Sequence, residues 1–224
     1  MKHRSIALDG PSGAGKSTMA KRLAAELGFL YVDTGAIYRT LGLFALWQGV
    51  DPGDEEAVEP LLGKATIRMA YAEDGLQHMY LDEEDVTQAI RTPEVSVAAS
   101  RISAIPAVRA FLLEMQRDMA RENDVVMDGR DIGTVVLPQA DVKVFLVATP
   151  EARARRRLAE LLERGIETDF DQVFADILER DARDSGRAVA PLRQAEGAQQ
   201  VDTTELSLEE SFQSLLRFVR ERLE

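Results

Sequence analysis

A parallel β-sheet flanked by helices, with an insertion off the sheet and a helical lid, is the α/β architecture that this 224-residue sequence predicts. Three observations predict it. The apolar run Ile6-Ala7-Leu8 leads directly into Gly10-Pro11-Ser12-Gly13-Ala14-Gly15-Lys16-Ser17-Thr18, and Met19, Ala20, Leu23 and Leu27 then recur at helical spacing up to Gly28. Strand, glycine-rich loop and helix in that order open a parallel sheet. Short apolar runs return at 29–32, 125–127 and 142–147, with helical periodicity between them, and a last strand is expected around 199–202 after a polar connection. Residues 51–92, by contrast, are acidic and broken by Pro52, Gly53, Pro60 and Gly63, which marks them as an insertion.

The glycine-rich loop fits the phosphate-cradling pattern Gly, any four residues, Gly-Lys-Ser/Thr in full, and its strand-before, helix-after context supports it as a P-loop. Its glycines let successive N–H groups point inward at phosphate oxygens, and the following helix adds the positive end of its dipole. Lys16 is expected to reach the transferable phosphates and the Ser17 hydroxyl to ligate Mg²⁺. A dinucleotide fingerprint fits worse, since its third glycine would fall where Thr18 stands.

The second strand ends in Asp33-Thr34-Gly35-Ala36-Ile37-Tyr38-Arg39, with Thr34 placed to cap a helix running to Trp47. Ligands gather at the carboxyl ends of strands in such sheets, which would direct Thr34, Tyr38 and Arg39 to the crevice of the P-loop. A capping Thr, a packing Tyr and a solvated Arg explain the same residues equally well. Within the insertion, Asp74-Gly75 predicts a hairpin turn between 66–71 and 77–81. Helices follow over 93–102 and 106–121, the second with Val108, Phe111, Leu112, Met115 and Met119 on one face; Ser100 and Arg109 are the polar residues of interest on them.

The strand 125–127 ends in Asp128-Gly129-Arg130-Asp131-Ile132-Gly133-Thr134, and a strand ending in Asp resembles the second, metal-holding acidic element of P-loop enzymes. Thr149-Pro150 starts a helix carrying Arg153, Arg155, Arg156, Arg157 and Arg164, and the next helix ends with Arg180, Arg183, Asp184 and Arg187. Arg153 with Arg157, and Arg183 with Arg187, are like charges four apart, so anions are expected to meet them. Pairing of Arg180 with Asp184 on a solvated face is the competing reading. Ser207 with Glu210 forms a capping box for a last helix with the stripe Leu208, Phe212, Leu215, Leu216, Val219 and Leu223. His3 and His78 belong to no recognisable site and read as surface residues.

A net charge of −12 argues against a general nucleic-acid binder, although Arg, which grips phosphate with two prongs, supplies most of the 27 basic residues. The absence of Cys excludes disulfides and thiolate chemistry. The first strand leaves no room for a signal peptide, and no apolar run reaches membrane-spanning length, so a soluble cytoplasmic protein is expected. The guanine-specifying Asn-Lys-x-Asp is absent, the sole Asn being Asn123 before Asp124. An arginine-rich segment able to fold over a P-loop suits a small-molecule kinase.

In their order behind the P-loop, Asp33 to Arg39, Asp128 to Thr134 and Arg187-Ala188-Val189-Ala190-Pro191-Leu192 resemble bacterial cytidylate kinases across essentially the whole chain. That resemblance implies one P-loop NTPase-type kinase domain, with a monophosphate-binding insertion at about 51–100 and a lid at about 151–187. It implies transfer of the ATP γ-phosphate to CMP or dCMP with Mg²⁺, no membrane or nucleic-acid partner, and a monomer. Gly10 to Thr18 would bind ATP. Ser100, Arg109 and Asp131 would read the cytosine edge, while Thr34, Tyr38, Arg39 and Arg130 would hold the acceptor phosphate and its surroundings. Asp128 would lie in the same site, and Arg180, Asp184 and Arg187 near the sugar and phosphates. Lys16, Arg130, Arg157 and Arg187 would be the catalytic cations. Kinases for uridine, thymidylate or a hydroxyl acceptor, and a non-catalytic nucleotide switch, are the alternatives.

Overall fold

The computed structural model describes residues 3–72 and 77–223, and the expected Asp74-Gly75 turn lies outside them. Its main sheet has five strands: β1 (Ser5–Asp9), β2 (Leu30–Asp33), β6 (Val125–Gly129), β7 (Val142–Val147) and β8 (Gln199–Asp202), in the order β2-β6-β1-β7-β8. β6, β1, β7 and β8 pair parallel, with Asp9 opposite both Gly129 and Phe145. The chain leaves β1 towards β2 and β6, then crosses to β7 and β8. β1 is thus flanked on its two sides by connections running in opposite directions, the topological position at which α/β sheets bind ligands. Strands buried on both faces explain the unbroken apolar runs: all five residues of β1 and of β6 are buried.

Residues 3–31 and 120–223 pack as one compact unit, and 32–119 as a second. In the first, α1 (Lys16–Leu27) and α8 (Leu208–Leu223) place Met19, Leu23, Phe212, Leu215 and Val219 in a core with Ile6, Leu8, Val126 and Val144. Ser207 and Glu210 form the expected reciprocal cap, but Leu208 is largely exposed. α6 (Pro150–Glu163) and α7 (Phe170–Ser185) form a satellite core from Ala154, Leu161, Val173 and Ile177. Thr149 caps α6 by accepting from the Ala152 N–H.

In the second unit, α2 (Thr34–Trp47) is sheathed by the short α3 (Glu55–Val58), the antiparallel sheet β3 (Ile67–Tyr71), β4 (Gln77–Leu81) and β5 (Glu84–Asp85), and by α4 (Pro93–Ile102) and α5 (Pro106–Glu122). Two expectations change here. Asp33, not Thr34, caps α2: its carboxylate accepts from the Ala36 N–H, and Thr34 is the first helical residue. On α5 the buried face is Val108, Arg109, Leu112 and Gln116, whereas Phe111 is 40% exposed. Apolar periodicity misplaces that face because two polar side chains on it are satisfied internally: Gln116 donates to the Leu112 carbonyl and Arg109 to the Ser103 carbonyl. His3 and His78 are partly exposed and sit beside Asp124 and Asp85.

Candidate active site

The P-loop leaves β1 through Gly10, at φ +148°, where a Cβ would come within 2.1 Å of the Leu146 carbonyl oxygen of neighbouring β7. Only glycine fits there. The loop ends on Gly15, so the N–H groups of the first turn of α1 have no earlier carbonyl on the helix to bond, which makes an anion site. Lys16 is buried and folds back to donate from Nζ to the Pro11 carbonyl at 2.7 Å, along the rim of the loop. Burial, then the Arg130 guanidinium, push its ammonium well below the ordinary lysine value, with Asp128 opposing. The Ser17 hydroxyl donates to Asp128 Oδ2 at 2.8 Å, and the Tyr31 hydroxyl donates to Oδ1 at 2.9 Å. Asp128, at the end of its strand, therefore lies beside the P-loop serine.

Asp9, the last residue of β1, accepts from the Ile132 and Gly133 N–H groups at 2.8 and 2.7 Å, pinning the turn that follows Asp128 to Asp131. Burial outweighs those bonds and, with Asp131 nearby, raises its carboxyl to about 6. Asp131 is itself buried and its carbonyl accepts from the Val135 N–H.

Arginines converge on Asp184, which is almost wholly buried. Arg130 Nε donates to its Oδ2 at 2.8 Å, and Arg187 pairs with its Oδ1. Burial pushes this carboxyl up, but Arg130, Arg187 and Arg180 together hold it below the usual carboxylate range. Arg180 also acts electrostatically on Lys16. Arg153, Arg156 and Arg157 of α6, and Arg164 just past it, meet the protein's own acceptors. Arg153 gives bonds of 2.9 and 2.5 Å to the two Asp181 oxygens, 2.9 Å to the Ala148 carbonyl and 3.2 Å to the Ser12 carbonyl of the P-loop. Arg156 holds Thr203, and Arg157 and Arg164 pair with Glu160. The anion expected opposite Arg153 is thus a carboxylate of the chain itself.

In the 32–119 unit, Arg39 Nη2 donates to Asp33 Oδ2 at 2.7 Å. The Arg109 guanidinium lies 5.5 Å from the centre of the Tyr38 ring. Ser100 and Arg109 are both buried and share a neighbour: the Ser103 hydroxyl donates to the Ser100 carbonyl at 3.0 Å, and Arg109 donates to the Ser103 carbonyl at 3.2 Å.

The cytidylate kinase family model matches residues 6–221. This chain belongs to the cytidylate kinase family. It is 48% identical over 216 residues to a cytidylate kinase of Caldicellulosiruptor bescii, covering 96% of this chain and 95% of the relative, and 51% identical over 220 residues to one of Solibacter usitatus, covering 97% and 93%. An uncharacterized protein of Eubacterium ventriosum shares the fold at a TM-score of 0.53 and 10% identity, covering 97% of this chain and 99% of its own. As a member of the cytidylate kinase family, the chain is an ATP-dependent nucleoside monophosphate kinase that phosphorylates CMP or dCMP. No single helix among the described residues is long and apolar enough to cross a membrane.

Reading the sequence as a cytidylate kinase leaves five residues around these clusters unassigned: Asp9, Tyr31, Gln77, Ser103 and Asp181. Asp9 had one available signal, a charged residue ending an otherwise apolar buried strand. The others act across long sequence separations or through carbonyl groups, which no spacing rule reports.

Proposed function

We propose that the P-loop, Gly10 to Thr18, binds the ATP phosphates, that Lys16, Arg130, Arg157 and Arg187 neutralise charge on the transferred phosphoryl group, and that Thr34, Tyr38 and Arg39 hold the acceptor phosphate. Ser100, Arg109 and Asp131 read cytosine, and Asp128, Arg180 and Asp184 complete the acceptor site. Residues 51–100 act as the monophosphate-binding insertion and 151–187 as the lid of a single-domain, monomeric, cytoplasmic enzyme without membrane or nucleic-acid partners.

The observation that carries this reading is the buried Lys16 folded along the P-loop, with Arg130 and Arg180 close enough to act on it electrostatically and Arg130 and Arg187 both bound to Asp184. Guanidinium groups gathered beside a buried P-loop lysine suit a polyphosphate, whose oxygens they can grip with two-pronged hydrogen bonds. The acceptor is a phosphate oxygen that is anionic at neutral pH, so no general base is required. The residues serve by positioning and by neutralising charge.

The Ser17 hydroxyl and the Asp128 carboxylate fit Mg²⁺, which takes hard oxygen donors and is held through one or two carboxylates plus substrate phosphates. Among the described residues no group of three or more acidic, His or Cys side chains forms a self-sufficient metal cage. When bound, Mg²⁺ would neutralise charge between the β- and γ-phosphates. Tyr31 keeps Asp128 oriented towards Ser17.

The test is ADP release from Mg·ATP with CMP, dCMP, UMP, AMP and TMP in parallel. Turnover highest with CMP and dCMP is expected. A different preferred acceptor would discard the roles given to Ser100, Arg109 and Asp131.

A further inference from the structure

We propose that Asp33 is a positioning residue for the acceptor phosphate: it fixes the Arg39 guanidinium, and Gln77 fixes Asp33. The proposal rests on the reading of Arg39 as a phosphate-binding residue. The two Asp33 carboxylate oxygens are divided between two tasks. Oδ1 accepts from the Ala36 N–H at 3.0 Å and caps α2, while Oδ2 accepts from Arg39 Nη2 at 2.7 Å. Helical side chains lean towards the N-terminus, so Arg39 can lie back along the first turns to its partner.

Gly35 makes room for this arrangement. A Cβ there would sit 3.1 Å from Arg39 Nη1 and 3.1 Å from Asp33 Oδ1, so a side chain would contend with both members of the pair. The side chains of Arg39 and Asp33 are only 20% and 13% exposed, which removes most of the screening that makes surface pairs weak. Arg39 Nε is buried with no hydrogen-bond partner among the described residues. One arm of the fork is thereby anchored and donor capacity is left over, as suits a group awaiting an anionic oxygen.

Gln77 treats Asp33 as a neighbouring strand would. Its Oε1 accepts from the Asp33 N–H at 2.8 Å and its Nε2 donates to the Asp33 carbonyl at 3.3 Å. The first residue of β4 therefore fixes the backbone from which the Arg39 anchor hangs. Burial pushes the Asp33 carboxyl up, but Arg39, the Ala36 N–H and more distantly Arg91 bring it below its ordinary value, so it is ionised at neutral pH. Burial and then Asp33 raise the Tyr71 phenol, which stays neutral nearby.

Asp33→Asn separates the two tasks, because an asparagine oxygen still caps the helix while the charge holding Arg39 is lost. We expect KM for CMP to rise about 10- to 100-fold, as for a misplaced binding group, with KM for ATP unchanged, beside a lowered thermal midpoint because the pair is mostly buried. In an Arg39→Ala background, Asp33→Asn should add nothing further. Gln77→Ala should shift KM for CMP in the same direction by less. An unchanged KM for CMP in Asp33→Asn, when Arg39→Ala raises it, overturns the positioning role and leaves the phosphate role of Arg39 standing. Arg39→Ala with unchanged KM for CMP sinks both. Additive effects of the two substitutions, or equal rises in both KM values, overturn the proposal in favour of a general structural role.

Discussion

Arg153 on α6 and Arg187, just past α7, each have a like charge four residues away in sequence, Arg157 and Arg183, yet their surroundings differ in kind. Arg153 is met on four sides by the chain: both Asp181 oxygens and two carbonyls take its donors. Arg130, Arg180 and Arg187 instead all act on one carboxylate, Asp184. The donors of Arg153 end on the chain itself and hold structure together, whereas the arginines about Asp184 are the group proposed to meet the substrate phosphates.

The comparison breaks most visibly at the phosphates. Arg130→Ala should lower turnover by about 10³- to 10⁵-fold, the worth of a transition-state arginine in related phosphoryl transfer, and Lys16→Ala should also fall by orders of magnitude; ADP release with saturating Mg·ATP and CMP measures both. Near-normal turnover in Arg130→Ala would remove it from the phosphate site. Asp184→Asn tests the shared carboxylate: it releases Arg130 and Arg187 together, and kcat/KM for CMP should fall about 10²-fold through misplacement.

A third test concerns pH. The folded carboxyl of Asp9 is raised to about 6 from 3.8, so its contribution is present below about pH 4 and is lost as pH rises through 6. That loss amounts to about 3 kcal/mol. Urea unfolding at pH 4 and pH 7 should show Asp9→Asn lacking this downward step, and equal pH slopes in both proteins would contradict it. Asp184, held below its ordinary value, acts oppositely: its stabilisation is present above about pH 4 and lost as pH falls below that. The smallest effect is expected from Arg156→Ala, whose contacts to Thr203 belong to the structural group. It should cost about 1 to 2 kcal/mol of stability and leave CMP turnover unchanged; a kinetic defect would move Arg156 to the ligand-binding group.

Much of this was legible before any coordinates. The P-loop, the ends of the main strands and the capping residues at Thr149 and Ser207 follow from local rules, because a strand, a turn or a cap is decided within a few residues. The Asp33 cap was missed by one position: Thr34 and Asp33 are both good caps, and the extended backbone of Asp33, with Thr34 already helical, decides between them. The buried face of α5 was missed because Arg109 and Gln116 read as polar, and only their carbonyl partners make burial tolerable.

The sequence alone determined the nucleotide loop, the family motifs and the helical spacing of the arginines, since each is a pattern along the chain and needs no partner to be read. Tertiary structure alone decided which arginine faces which carboxylate. Asp181 and Arg153 are 28 residues apart, Asp184 and Arg130 are 54 apart, and Ser17 and Asp128 are 111 apart. The strength and sign of electrostatic coupling depend on separation in space and on burial, and neither quantity is carried by position in the chain.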